Sequence, residues 1–260
     1  MNRFVNAEDT GPIRRLTMSS PGRMNAAPRH GWAELASAFD DFAASEQRVL
    51  IVTGADGDFC AGAEMGATGS DTPSTADNAE RMRGTVNRAA LALHRIPKPT
   101  IAAVDGVAVG AGMNLAIGCD IVVASTRARF AEIFVKRGLT LDFGGTWLLP
   151  RLVGLARARE LALTGRVFGA AEALDMGLVS EVVEPGDLEE RVQELGAQLA
   201  DGAPLAQAVI KRALDRSSTM TFEQALAFEE HAQAILLASE DLKEGAASFM
   251  EKRPPRFLGR

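Results

Sequence analysis

The chain has 260 residues, 47% hydrophobic and 24% charged, with a formal net charge of −6 and a pI near 5.3. That is soluble globular composition with ample material for a core, enough for one large α/β domain or a domain with a smaller appendage. The acidic balance argues against a generic nucleic-acid or anionic-membrane surface, and two cysteines, Cys60 and Cys119, cannot build a disulfide framework. A reducing, cytoplasmic setting is the simpler reading.

The N-terminal segment MNRFVNAEDTGPIRR carries no apolar signal core. Apolar, β-branched runs then follow at residues 13–18, 48–54, 100–106, 120–125 and 177–183. Segments with helical spacing, such as 29–45 and 76–95, separate them, and this alternation predicts an α/β fold with buried strands. Residues 66–78, GATGSDTPSTADN, are small, polar and aperiodic, which predicts a mobile loop leading into a helix. The most membrane-like stretch, 100–119, is interrupted by Asp105, Asn114 and four glycines, so it reads as a buried strand followed by a buried helix. Residues 187–252 are largely helical in pattern, broken near 201–204 and 217–219, and their Ala/Leu-rich faces suit packing on a partner subunit. The expected division is a core over 1–186 and a helical region over 187–260.

Several chemistries lack their residues. His30, His94 and His231 are scattered, without carboxylate or cysteine partners at metal-ligand spacing, so no metal is expected. There is no G-x-S-x-G elbow. GDFCAGAE has Ala63 and Glu64 where a phosphate loop needs Lys and Ser/Thr, and GVAVGAGMNL has Leu115 where the dinucleotide fingerprint needs glycine.

What remains is a pair of glycine-rich turns and one acid. FCAGAEM (59–65) and GAGMNLAIG (110–118) each follow a strand, and small residues there let a ligand approach free backbone N–H groups. Two such turns, if they converge, can hold one oxyanion; close helix–strand packing is the plainer alternative for each alone. Asp142 in RGLTLDFGGTW stands among leucines, a phenylalanine and glycines. It is either the N-cap of a helix starting near GGTWLLPRL or a chemically useful carboxylate.

FCAGAEM, PKPTIAAVDGVAVGAGMNLAIGCDIVVAS, GGTWLLPRLVG and FMEKR, in that order and spacing, resemble the enoyl-CoA hydratase/isomerase family, the crotonase superfamily. The resemblance runs from about SSPGRMNA to the C-terminus. It implies a spiral of ββα units with a C-terminal helical trimerisation region, assembled as a homotrimer or dimer of trimers. It also implies an acyl-CoA thioester substrate, with no cofactor beyond the coenzyme A moiety of that substrate. By motif position the thioester oxygen would meet the N–H groups of Ala63 and Ala111. Ala61 would line the adenine site, and Arg23 would lie at the first CoA-contacting turn. Glu64 takes the usual aspartate position beside the first donor, where a structural role is expected. Phe249 and Lys252 match positions that reach the CoA bound to a neighbouring subunit.

The departures from the family pattern direct the choice of activity. The two glutamates of typical hydratases are replaced by Asn114 and Phe134, and neither can exchange a proton near neutral pH. Glu132, two residues before Phe134, would substitute only if the local register differs. Asp142 stands four residues before the Thr of GGT, where isomerase branches carry an acid, and LDFGGTW resembles the isomerases of phenylacetate degradation in particular. With both glutamates absent, the resemblance implies an enoyl-CoA double-bond isomerase in which Asp142 moves the proton. The alternatives are a hydratase with an atypical acid/base set, and a non-catalytic relative that binds CoA esters or RNA. Cys60, Cys119 and Trp147 are read as packing residues.

Overall fold

The computed structural model of the chain describes residues 3–64 and 74–260. Among the described residues nine strands lie in chain order: β1 (Val5–Thr10), β2 (Ile13–Met18), β3 (Val49–Gly54), β4 (Thr100–Val104), β5 (Val107–Val109), β6 (Ile121–Ser125), β7 (Arg129–Ala131), β8 (Phe168–Gly169) and β9 (Glu181–Val183). Six form one sheet in the order β1-β2-β3-β4-β6-β9, antiparallel at β1/β2 and parallel from β2 onward. The other three form a small sheet, β5-β7-β8.

Each of the five apolar runs contains a strand, and the nearly continuous apolar character of the central ones, β3, β4 and β6, has a physical reason. A parallel sheet is covered on both faces. Leu50, Val52, Ala102, Val104, Val122 and Ala124 point into the main core with Phe39, Phe42 and Leu35 of helix Gly31–Ala44. The alternate residues Val49, Ile51, Ile101, Ala103 and Val123 pack on Leu188 and Val192 of helix Leu188–Ala200. Gly196 on that helix has no room for a methyl group, which would fall 2.9 Å from Ile13 Cδ1.

The chain advances by repeating one step. β4 enters the large sheet, bends at Asp105–Gly106, and β5 enters the small sheet before helix Ala111–Ile117. β6 and β7 repeat this, pairing in parallel with β4 and β5, before the short 3-10 helix Ile133–Arg137. One turn earlier, β3 is followed by an isolated bridge of Cys60 to Ala108 that extends the small sheet. Stretch 100–119 is therefore two strands and a helix, one strand more than its composition suggests. The stacked steps bring residues 59–64, 110–114 and 132–145 to one side of the molecule.

Helix Thr75–Gly84 begins inside the segment expected to be loop, because Ser74 and Asp77 form a capping box; residues 66–73 of that segment lie outside the described residues. Helix Val86–His94 follows. Toward the C-terminus, helices Leu188–Ala200, Pro204–Ser217, Phe222–Leu237 and Glu240–Glu251 break at 201–203 and 218–221 as expected, and once more at 238–239. Among the described residues no helix is long and apolar enough to cross a membrane.

Candidate active site

The two glycine-rich turns meet. After β3 the chain runs back along β5, with Cys60 N–H donating to Val107 O at 2.8 Å and Val109 N–H to Cys60 O at 3.1 Å. The opposite edge of the turn is held by the 23–27 segment: Ala61 N–H donates to Met24 O, Ala27 N–H to Gly62 O and Glu64 N–H to Ala27 O, at 2.7–2.9 Å. Asn25 fixes that segment in turn, donating from Nδ2 to the carbonyls of Ala55 and Asp58 at 2.7 Å each. At Gly62, φ is +86°, and a methyl group would lie 3.0 Å from Val109 O and 3.6 Å from Ala111 N. Glycine is needed there both for its backbone conformation and for the close approach. Among the described residues neither Ala63 N–H nor Ala111 N–H donates a hydrogen bond. Ala111 is the first residue of its helix, where an N–H has no intrahelical acceptor.

One turn along the same helix, fully buried Asn114 reaches the segment that carries Asp142. Its Nδ2 donates to the main-chain carbonyl of Asp142 at 3.0 Å and lies 3.5 Å from Glu132 Oε2. Gly145 N–H donates to the same Asp142 carbonyl at 2.9 Å. Gly145 packs directly on the Asn114 side chain; a methyl group there would fall 2.7 Å from both its Cγ and its Oδ1.

The carboxylate of Asp142 is not a helix cap. Helix Gly145–Val153 is entered through Gly144 with no side-chain cap bond, and the Asp142 carbonyl, not its carboxylate, accepts from Gly145. The preceding backbone is unusual: Phe143 has φ +49° and Gly144 φ +83°. A phenylalanine in the left-handed region is held there by burial of its ring, 5.4 Å from that of Trp32. This turn presents Asp142 with a buried Oδ1 that has no partner among the described residues. Burial disfavours the charged form and pushes its carboxyl up to about 6.

Asn114 Oδ1 and Glu132 Oε1 are likewise buried and unpartnered. Glu132 is completely buried, and burial first, then the neighbouring charge of Asp142, push its carboxyl up to about 8, opposed in part by Asn114. Glu132 is thus the residue that sequence reasoning set aside. The chain leaves β7 at Glu132 with φ −84° and ψ 71°, neither strand nor helix, so strand alternation gives no guide to its direction. The available signal was the residue type itself, a carboxylate inside the apolar run RFAEIF. Phe134 lies at the site as well, its ring 3.6 Å from where a methyl group on Gly110 would stand.

The remaining candidates divide. Arg23 and Glu64 form an ion pair across the first turn, beside Ala61, which agrees with a structural role for Glu64. Phe249, 83% exposed, and Lys252, the left-handed residue closing helix Glu240–Glu251, stand at the end of the last helix, where Lys252 N–H donates to Phe249 O. Cys60 and Cys119 are buried thiols pushed up to about 12 by desolvation, so neither is a nucleophile near neutral pH. Trp147 packs under Arg151, 3.9 Å from the guanidinium carbon to the ring centroid.

Two backbone turns converge beside a desolvated carboxyl, an arrangement chemically able to hold an anion formed from a carbonyl compound. The comparisons with known proteins agree: the family profile described as enoyl-CoA hydratase/isomerase matches residues 8–260, and the chain belongs to that family. It is 36% identical over 265 residues to the 1,2-epoxyphenylacetyl-CoA isomerase of Escherichia coli K12, covering 100% of each chain. It is 40% identical over 249 residues to a Rhodobacter capsulatus protein named "Probable enoyl-CoA hydratase", covering 94% of each. A crystal structure of an enoyl-CoA hydratase subunit from Geobacillus kaustophilus superposes with a TM-score of 0.90 at 36% identity, over 99% of this chain and 98% of that one. The fold is the crotonase fold, and the protein is an enzyme of the hydratase/isomerase kind.

Proposed function

We propose that this enzyme is an enoyl-CoA double-bond isomerase acting through a thioester enolate, with Asp142 as the acid/base. The observation that carries the reading is the desolvated carboxylate of Asp142, whose Oδ1 has no partner among the described residues, in a site where Asn114 and Phe134 stand, by the family resemblance, at the positions of the hydratase glutamates. The thioester oxygen accepts from Ala63 N–H and Ala111 N–H, which stabilise the charge that develops when the α-proton leaves. Asp142 takes a proton from one carbon and returns it to the carbon two positions away, so the double bond moves and no water is consumed. The name of the Escherichia coli relative, an isomerase of a CoA ester, supports the same class.

Arg23 and Ala61 line the entry for the nucleotide part of the CoA, with Glu64 orienting Arg23. Phe249 and Lys252 complete the CoA site of a neighbouring subunit. Self-association as a trimer or dimer of trimers is supported by the apolar residues left exposed on the C-terminal helices, including Ile210, Leu214, Phe222 and Ile235. In this reading residues 1–186 carry the site and 187–260 the contacts between subunits.

Hydration is the second reading, favoured by one observation: Glu132 supplies a second buried carboxyl beside Asp142. The two readings separate by product mass. Incubation with 3-enoyl-CoA and 2-enoyl-CoA esters should give isomers of unchanged mass; a product heavier by one water, formed as the main species, would assign hydration instead.

A further inference from the structure

The cluster around Asp142 holds three buried oxygens without partners among the described residues: Asn114 Oδ1, Glu132 Oε1 and Asp142 Oδ1. An amide oxygen and an ionised carboxylate are acceptors only. The Asn114 amide hydrogens are directed to the Asp142 carbonyl and, more distantly, to Glu132 Oε2. Among the described residues, the one further donor this cluster can supply is an O–H on a carboxyl. Buried polar groups are costly when unpaired, so a retained proton is the economical state of the trio.

Glu132 is the member placed to retain it. Among the described residues no cation pairs with it. The charged groups on the elements packed around it are Arg129 on β7, Lys136 and Arg137 on the 3-10 helix, Arg157, Arg159 and Glu160 on helix Leu155–Thr164, and Arg151 on helix Gly145–Val153. All of these are exposed, and helix Ala111–Ile117 carries none. Asp142 is the charge that acts on Glu132, and it acts by repulsion. Asp142 is the shallower of the two, since Glu132 is completely buried while Asp142 is half-buried. It therefore ionises first.

We propose that Glu132 is the positioning residue of this site: a buried, neutral carboxyl that, with Asn114, holds Asp142 as the single anionic carboxylate, and whose ionisation at alkaline pH stops turnover. The proposal rests on Asp142 being the acid/base. While Glu132 keeps its proton, directly or through one bridging water, its O–H satisfies an oxygen of the cluster and adds no charge. When that proton leaves to solvent hydroxide, a second negative charge stands beside Asp142 and beside the enolate being formed. Both the donor and the electrostatic advantage are then lost, and the two carboxyls titrate as a coupled pair.

The test is the pH profile of kcat/KM for isomerisation by wild type, Glu132→Gln and Asp142→Asn. Wild type should give a bell with limbs near pH 6 and 8, falling about tenfold for each pH unit beyond either limb. Glu132→Gln keeps a neutral donor of the same shape and should lose the alkaline limb, so that its activity at pH 9 no longer falls below its own value at pH 7. A merely structural role would lower the whole profile and leave the limb in place, and that result would overturn the proposal. Should Glu132→Gln fail to fold, carbon-13 NMR of carboxyl-labelled glutamate in the wild type takes its place. One glutamate should titrate near pH 8, at lower pH in Asp142→Asn; a complete set of ordinary titrations would overturn the proposal equally. Turnover retained by Asp142→Asn would defeat the assignment of Asp142, whereas an inactive Asp142→Asn with an unchanged alkaline limb in Glu132→Gln would defeat only the role of Glu132.

Discussion

Replacing Asp142 by asparagine should stabilise the protein, and the sign of that change separates a working carboxylate from a helix cap. Burial raises the carboxyl from 3.8 to about 6 in the folded chain. At 1.36 kcal/mol for each pH unit, the displacement corresponds to at most about 3 kcal/mol. The unfolded chain gives up this proton first as pH rises. Between pH 4 and 6 the folded state therefore binds more protons, stability contributed by the group falls, and above pH 6 the loss is complete. Asparagine has the same shape and no such loss. Urea or guanidinium denaturation should give wild type and Asp142→Asn similar stability at pH 3.5, with the variant ahead by up to about 3 kcal/mol at pH 7. A carboxylate capping the helix would lie at the positive end of its dipole and stabilise the fold when ionised. A variant equal to or less stable than wild type at pH 7 would refute the reasoning.

Other consequences follow from the same geometry. The base form of Asp142 is needed for proton removal, so kcat/KM for isomerisation should fall about tenfold per pH unit below pH 6; a flat profile down to pH 5 would place the base elsewhere. Gly62→Ala puts a methyl group 3.0 Å from Val109 O at φ +86° and forces the two oxyanion turns apart. The neighbouring carbonyl must give by a few tenths of an ångström and alanine is strained at that φ, so kcat should fall by about tenfold while CoA-ester KM changes less. Gly145→Ala drives a methyl group into Asn114, displacing its bond to the Asp142 carbonyl. Overpacking of this kind should cost about 1–3 kcal/mol by thermal or chemical denaturation and should lower kcat as well.

The sheet was legible because its central parallel strands, β3, β4 and β6, are covered on both faces and appear as nearly continuous apolar runs. β1 was not, since five of its six residues are exposed and VNAEDT has no apolar pattern. It exists because it pairs along its full length with β2. β5, β7 and β8 are two or three residues long, below the length at which periodicity can be counted. At the site, the small residues of the two turns marked where a ligand could approach free backbone N–H groups but not whether the turns converge; a methyl group on Gly62 would lie 3.6 Å from Ala111 N, so the two turns lie side by side. Asp142 could be singled out but its two readings could not be separated, because an aspartate shortly before a helix start has the same spacing whether its carboxylate or its carbonyl faces the helix. The left-handed pair Phe143–Gly144 decides this, and a phenylalanine gives no sequence warning of positive φ. Glu132 was hidden by the irregular backbone between β7 and the 3-10 helix.

The central claim, that Asp142 moves the proton of a thioester enolate held by two backbone N–H groups, is tested most directly by turnover of 3-enoyl-CoA and 2-enoyl-CoA esters with wild type and Asp142→Asn, product mass and ester affinity being measured together. The account predicts an isomer of unchanged mass from the wild type, loss of that product in the variant, and nearly equal ester affinity in both. Isomerisation or hydration at an undiminished rate in Asp142→Asn would contradict it and return the search for the acid to the remaining groups of the site.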